Sequence, residues 1–151
     1  MKISWPHIIA TWFGSGLLKP GPGTWGSLAS LPLLIPVASY TGIYGILITG
    51  VFLTLAGFWA INQLDLTEED PPSIVIDEVV GMFITFLVTP LTPLGILLGF
   101  ALFRFFDIVK PWPVSYFDKN IKGALGIMLD DIIAGILAAI GVFCVTYFVI
   151  G

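Results

Sequence analysis

Two pairs of adjacent acids, Asp77-Glu78 and Asp130-Asp131, each stand where a charge-free apolar run begins. Asp107 lies between the pairs in sequence, three residues after Arg104 and three before Lys110. Acids at a helix start complement the helix dipole for about 0.3–1 kcal/mol, and one such pair needs no further reason. Two pairs abutting apolar runs, with a fifth acid besides, do need one. Ionisable groups at membrane depth are costly and are usually functional. Carboxylates without a companion His or Cys form a hard oxygen set, and the cation that suits it is Mg²⁺. Asp77, Glu78, Asp107, Asp130 and Asp131 are therefore the expected metal ligands and the expected catalytic acids.

The cations come next. Arg104 and Asp107, three apart, share a helix face. They can neutralise each other, or the guanidinium fork can take two oxygens of a phosphate. Lys110 lies one further turn along that face, and Lys119 and Lys122 suit anionic lipid heads. The run Lys19-Pro20-Gly21-Pro22-Gly23-Thr24-Trp25-Gly26-Ser27 precedes an apolar helix. Thr24 is the expected N-cap, and backbone N–H groups near Thr24 and Ser27 would attract phosphate. A plain turn is the other reading, and the spacing is not that of a Walker loop. The expected phosphate-binding set is thus Arg104, Lys110, Thr24, Ser27 and Lys122.

Other phosphoryl chemistries lack their parts. His7 is the one histidine and lies far in sequence from every acid pair. Cys144 sits in the last apolar run without the basic loop that would lower its thiol pKa. A G-x-S-x-G elbow with a histidine partner is missing. Carboxylate-plus-metal chemistry remains.

Such groups need a scaffold that brings them together. The sixteen charged residues occupy three segments, 1–19, 65–78 and 104–131. Charge-free stretches of 45, 25 and 20 residues separate and follow them. The 151-residue chain is 57% hydrophobic and 11% charged, with mean hydropathy +1.01. Soluble domains carry about 25% charged residues. The expectation is one integral membrane domain over 1–151. A net charge of −4 argues against nucleic acid as a partner, and a single cysteine excludes an internal disulfide.

The fold class expected is an all-α membrane bundle of about five apolar helices, some short or broken. Residues 1–26 read as an interfacial segment with Trp5, Trp12 and Trp25. A short helix over 27–39 carries Pro32 and Pro36, Thr41-Gly42 turns the chain, and 43–63 spans. The acidic stretch Asp65 to Asp70 with Pro71-Pro72 reads as a solvated loop. A helix over 73–88 is broken by Thr89-Pro90-Leu91-Thr92-Pro93, and a second runs over 94–108. Residues 111–128 read as a loop and 129–150 as the last span. One kinked span over 79–103 is the alternative to a hairpin at 89–93, but the hairpin keeps the charged segments together. With hairpins at 40–42 and 89–93, all six Lys and Arg share one side, which the positive-inside rule makes cytoplasmic. Glycines at 42, 45, 50, 57, 135 and 141 allow close helix contacts within or between chains, which leaves a homo-oligomer open.

At this point the residues resemble the bacterial phosphatidylglycerophosphatase A family of membrane lipid phosphatases. The resemblance is carried by Phe13-Gly14-Ser15-Gly16-Leu17, by Pro22 to Ala29, and by Ser73-Ile74-Val75-Ile76-Asp77-Glu78-Val79-Val80-Gly81-Met82. Its longest piece begins Phe103-Arg104-Phe105-Phe106-Asp107-Ile108-Val109-Lys110-Pro111-Trp112-Pro113 and continues through Phe117-Asp118 to Gly126 and Gly135. These pieces cover about residues 13–135 in family order. The resemblance implies a Mg²⁺-dependent enzyme that removes the terminal phosphate of phosphatidylglycerophosphate, a phospholipid substrate, to give phosphatidylglycerol. It implies action at the inner face of the bacterial cytoplasmic membrane. Two chemical routes are open: attack by metal-activated water, or an aspartyl-phosphate intermediate. A lipid headgroup phosphotransferase is the alternative enzyme, although its D-x-x-D-G-x-x-A-R pattern is absent. A cation or proton path lined by the acids is the non-enzyme alternative.

Overall fold

The structure, a computed structural model, describes residues 3–66 and 71–151. Every regular element among them is helical. Helix α1 spans Trp5–Ala10 with Pro6 in its first turn, where a missing N–H costs nothing. The Val75 N–H donates to the Ala10 carbonyl at 2.9 Å and ties α1 to the middle of the chain. A 3₁₀ turn, Ser15–Leu17, follows.

Helix α2 spans Pro22–Asn62 and is broken at Gly42, where φ is 62° and ψ −154°. That left-handed φ is one glycine adopts freely. Residues 26 and 57 would stand about 46 Å apart in a straight helix. Instead a Cβ on Gly26 would lie 2.5 Å from Val75 Cβ, and one on Gly57 would lie 2.9 Å from Ile76 Cγ1. Both glycines meet adjacent residues of the same helix start, so the two limbs of α2 fold back on each other at Gly42.

Helices α3, Ile76–Thr85, and α4, Pro93–Val109, form a second hairpin. Thr92 caps α4 by accepting from the Gly95 N–H at 3.0 Å, with Pro93 as the first helical residue. Gly81 faces Phe103, and Gly99 faces Phe86 and Thr89, so the helices run antiparallel. Helix α5 spans Val114–Asn120. Helix α6, Gly123–Val145, closes the fold and ends in a π-type turn, Thr146–Ile150. It lies parallel to α3: Asp131 stands beside Gly81, and Gly135 stands beside both Gly81 and Ile84.

Eight of the ten residues of α3 are buried, which makes it the central helix, wrapped by α2, α4 and α6. Ile76, Val79, Val80, Met82 and Phe83 pack there with Phe103, Met128, Ala134 and Ala138. Two segments, Pro22–Asn62 and Gly123–Ile150, are long and apolar enough to cross a membrane, with mean hydropathy 1.9 and 2.5. Folded at Gly42, each limb of α2 is about 30 Å long, the thickness of a hydrocarbon core. The outer face is apolar, with Tyr44, Ile48, Val51, Phe52 and Leu55 exposed.

The reversals expected at 41–42 and 89–93 are present, but several boundaries differ. The first helix starts at Pro22 rather than residue 27, with Gly21 and not Thr24 as N-cap. The helix expected over 73–88 is shorter, because Ile74 closes a turn onto Pro71 and Val75 is bonded to Ala10. The loop expected over 111–128 contains α5 and the first turn and a half of α6. Lys2, Glu68, Glu69 and Asp70 lie outside the described residues.

The contact between α3 and α6 gives a direct expectation. A Cβ on Gly135 would stand 2.7 Å from the Gly81 carbonyl oxygen, a backbone atom that cannot swing away. Gly135→Val should cost about 1–3 kcal/mol, the usual penalty of overpacking. It should lower the melting temperature of the detergent-solubilised protein by several degrees. Gly141→Ala, whose Cβ would meet the Leu102 side chain at 3.2 Å and the Phe106 ring at 3.9 Å, should melt close to the parent.

Candidate active site

Three helices deliver their charged residues to one end of the bundle. The first turn of α3 carries Asp77 and Glu78, α6 carries Asp130 and Asp131 about two turns from its start, and the end of the antiparallel α4 carries Arg104 and Asp107. Lys110 follows as the C-cap of α4, in a left-handed conformation with φ 50°. All seven side chains line one cavity of about 370 Å³, walled also by Gly21, Pro22, Gly23, Pro71 and Pro72.

The acids are deeply placed. Asp77 is 7% exposed, Asp107 8%, Asp130 4% and Asp131 2%. Arg104 forms an ion pair with Asp107. Lys110 Nζ reaches Asp130 Oδ2 at 2.6 Å and Asp118 Oδ1 at 3.3 Å. Burial pulls the Lys110 ammonium down, but its hydrogen bond to Asp130 and the charges of Asp130, Asp131 and Asp118 hold it net above its usual value. It therefore stays charged at neutral pH. Asp130 Oδ1 accepts from the Asp131 N–H at 2.9 Å.

Four buried polar atoms at this site have no partner: Asp77 Oδ1, Glu78 Oε2, Asp131 Oδ1 and Arg104 Nε. A buried charged group without a partner costs several kcal/mol. Three oxygens and one nitrogen left this way in a single cavity mark a place built for something charged. One oxygen each from Asp77, Asp130 and Asp131 lie within 4.8 Å of one another, as do those of Glu78, Asp107 and Asp131. An all-oxygen set of this compactness fits a hard divalent cation, and the orphaned oxygens are the atoms such an ion would satisfy. The unpaired guanidinium edge beside them fits an anion.

The structure brings together the five acids, Arg104 and Lys110. It does not bring in the other three expected phosphate ligands. Ser27 is fully buried and its hydroxyl donates to the Gly23 carbonyl at 2.8 Å. The Thr24 N–H is used by the Gly21 carbonyl at 3.0 Å. Lys122 lines a neighbouring cavity with Asp118, Gly123 and Gly126, which meets the first only at Asp130. The glycine-rich run contributes through Gly23 instead. A Cβ there would come within 2.5 Å of Glu78 Oε1 and 3.1 Å of both terminal Arg104 nitrogens. With Pro22 as the first helical residue, Gly23 is the next position whose N–H lacks an intrahelical acceptor. Counting from that proline was the available signal for Gly23 over Thr24. Nothing local in the sequence marked Asp118 as a partner of Lys110.

Fold and pocket together define an all-helical protein with a buried, acid-rich centre flanked by two cations, suited to a charged phosphate group. The sequence profile of phosphatidylglycerophosphatase A matches residues 8–146, and the chain belongs to that family. A Haemophilus influenzae phosphatidylglycerophosphatase A is 44% identical over 147 residues, covering 95% of this chain and 90% of the relative. An Escherichia coli phosphatidylglycerophosphatase A is 40% identical, covering 92% and 83%. A Bacteroides thetaiotaomicron relative, provisionally named a phosphatidylinositol-3-phosphatase, is 39% identical and covers 97% and 96%. No solved structure matches the chain.

Proposed function

We propose that this protein removes the terminal phosphate of phosphatidylglycerophosphate, with Mg²⁺ as cofactor, leaving phosphatidylglycerol. The observation that carries this reading is the half-open cavity in which buried, unpartnered carboxylate oxygens of Asp77 and Asp131 stand beside Arg104 and Lys110. Two of the three named relatives carry that activity in their names.

Asp77, Glu78, Asp107, Asp130 and Asp131 would hold the ion, which when bound supplies Lewis-acid neutralisation of phosphate charge. Arg104 and Lys110 hold and orient the phosphate oxygens and offset the charge that builds on them in the transition state. In the net reaction the phosphorus–oxygen bond to glycerol breaks and the oxygen of water joins phosphorus. One proton from that water ends on the glycerol oxygen. Asp107 and Asp130 are held by Arg104 and Lys110. The group that takes the water proton, or that attacks phosphorus itself, is therefore Asp77, Glu78 or Asp131.

We place the protein in a bacterial cytoplasmic membrane as one multi-pass domain with the cavity on the cytoplasmic side. The two limbs of α2, the α3–α4 hairpin and α6 would make its five helices. Lys19, Arg104, Lys110, Lys119 and Lys122 all gather at the cavity end, as the positive-inside rule requires of that side. The same placement, at one end of the bundle, argues against a cation path through it.

The test is phosphate release by the purified full chain in mixed micelles containing phosphatidylglycerophosphate, phosphatidylinositol 3-phosphate or phosphatidic acid. Phosphatidylglycerophosphate should give the highest kcat/KM. A higher value on the inositol lipid would reassign the substrate. EDTA should lower the rate at least about 100-fold and added Mg²⁺ should restore it, since the acids alone would repel the substrate. Full activity after exhaustive chelation would end the metal assignment.

A further inference from the structure

We propose that the acid cluster is a pair of cation sites joined by Asp131. This rests on the reading of the cavity as a Mg²⁺-dependent centre and states how many ions it takes. Two triads can be drawn, Asp77 with Asp130 and Asp131, and Glu78 with Asp107 and Asp131, and Asp131 alone belongs to both. Oxygens around a small hard cation stand about 2.1 Å from it and so at most about 4.2 Å from one another. Three oxygens within 4.8 Å of one another lie no more than about 2.8 Å from a common centre, so each triad closes on an ion with shifts of less than an ångström.

The unpartnered oxygens divide the same way. Asp77, which carries one, is a member of the first triad, Glu78 of the second, and Asp131 of both. Asp77 and Asp131 are each more than nine-tenths buried. One ion in either triad would leave the orphan of the other unsatisfied. Local geometry explains the split, because adjacent helical residues point about 100° apart. Asp77 and Glu78 cannot both face one ion squarely, but each can face its own. Each triad also has one member held by a cation: Asp130 by Lys110 and Asp107 by Arg104.

Charge balance points to the same number. Deprotonated, as metal ligands must be, five carboxylates against one arginine and one lysine would leave three negative charges in the cavity. A phosphate monoester adds about two more. One divalent ion leaves the loaded site about three charges negative, whereas two leave it about one charge negative, a far smaller barrier to an anionic lipid. Ions sharing a bridging carboxylate stand about 3.5–4 Å apart in such centres.

Mn²⁺ is the probe, since it takes the same oxygen ligands and is paramagnetic. Its binding to the purified full chain in detergent, followed by electron paramagnetic resonance, should saturate at two ions per chain with a spin-coupled spectrum. Asp77→Asn and Glu78→Gln should each retain one uncoupled ion, and Asp131→Asn should weaken both sites at least tenfold. Helical circular dichroism and elution volume of each variant should match the parent. A wild type that binds one ion would overturn the pair and leave a one-ion phosphatase intact. So would two uncoupled ions that persist in both single variants. A chain that binds none and works in chelator would overturn the metal reading as well.

Discussion

Asp131→Asn is expected to lower phosphate release by about 10³-fold or more while leaving the helical fold in place, a loss of the size seen when a central catalytic acid is removed. Asp131 is 2% exposed and belongs to both triads, and its Oδ1 has no partner. The amide keeps the shape of the carboxylate but brings a donor where the cavity needs a charged acceptor. Stability should move the other way. Removing one uncompensated buried charge relieves repulsion, so in EDTA the variant should melt at or above the parent temperature. Added Mg²⁺ should raise the parent melting point and leave that of the variant nearly unchanged, because an ion that binds only the folded state stabilises it. Turnover within tenfold of the parent would remove Asp131 from the centre.

Much of this site was legible because lipid and carboxylates obey simple rules. Hydrocarbon excludes charge, so three charged segments between long apolar runs had to meet if the chain doubled back. Gly42 and the prolines at 90 and 93 marked where it did. An acid pair at the start of α3, another two turns inside α6 where the apolar run begins, and an Arg–Asp–Lys ladder at the end of α4 then converge by topology alone. Whether Arg104 pairs with Asp107 or binds phosphate was a choice the spacing left open. The structure holds the ion pair and still leaves Arg104 Nε buried without a partner, so one guanidinium can serve both.

What escaped the sequence depends on contacts between distant segments. The N-terminus of α6 was read as part of a loop over 111–128, a stretch that holds Trp112, Pro113, Gly123 and Gly126. Gly126 instead sits where a Cβ would collide with the Ile121 carbonyl, so it permits a close approach rather than breaking the helix. The shortened start of α3 follows from the bond between Val75 and Ala10, sixty-five positions away in the chain. Periodicity cannot report such a bond. Thr24 and Ser27 were chosen because backbone N–H groups near a helix start attract phosphate. The surface that approaches the cavity is the bare backbone of Gly23, whose value lies in having no side chain.

Arg104→Lys separates the two duties of that guanidinium. A lysine at 104 keeps a positive charge three residues from Asp107, so the ion pair can persist and the melting temperature should fall by no more than a few degrees. It cannot reproduce the planar fork, which offers five donors in fixed directions. A side chain at position 23 would crowd both terminal nitrogens, so the bare backbone of Gly23 leaves the fork its place at the cavity. If the fork grips phosphate, kcat/KM for phosphatidylglycerophosphate should fall about 100-fold in Arg104→Lys, the cost of losing one well-placed donor. Arg104→Ala should fall further, to about 10³-fold, and free guanidinium should restore part of that loss. If Arg104 serves only to neutralise Asp107, the lysine variant should instead turn over within about threefold of the parent, because a point charge does that task as well as a fork. The two outcomes differ by more than tenfold, so steady-state rates at one pH and one Mg²⁺ concentration decide between them.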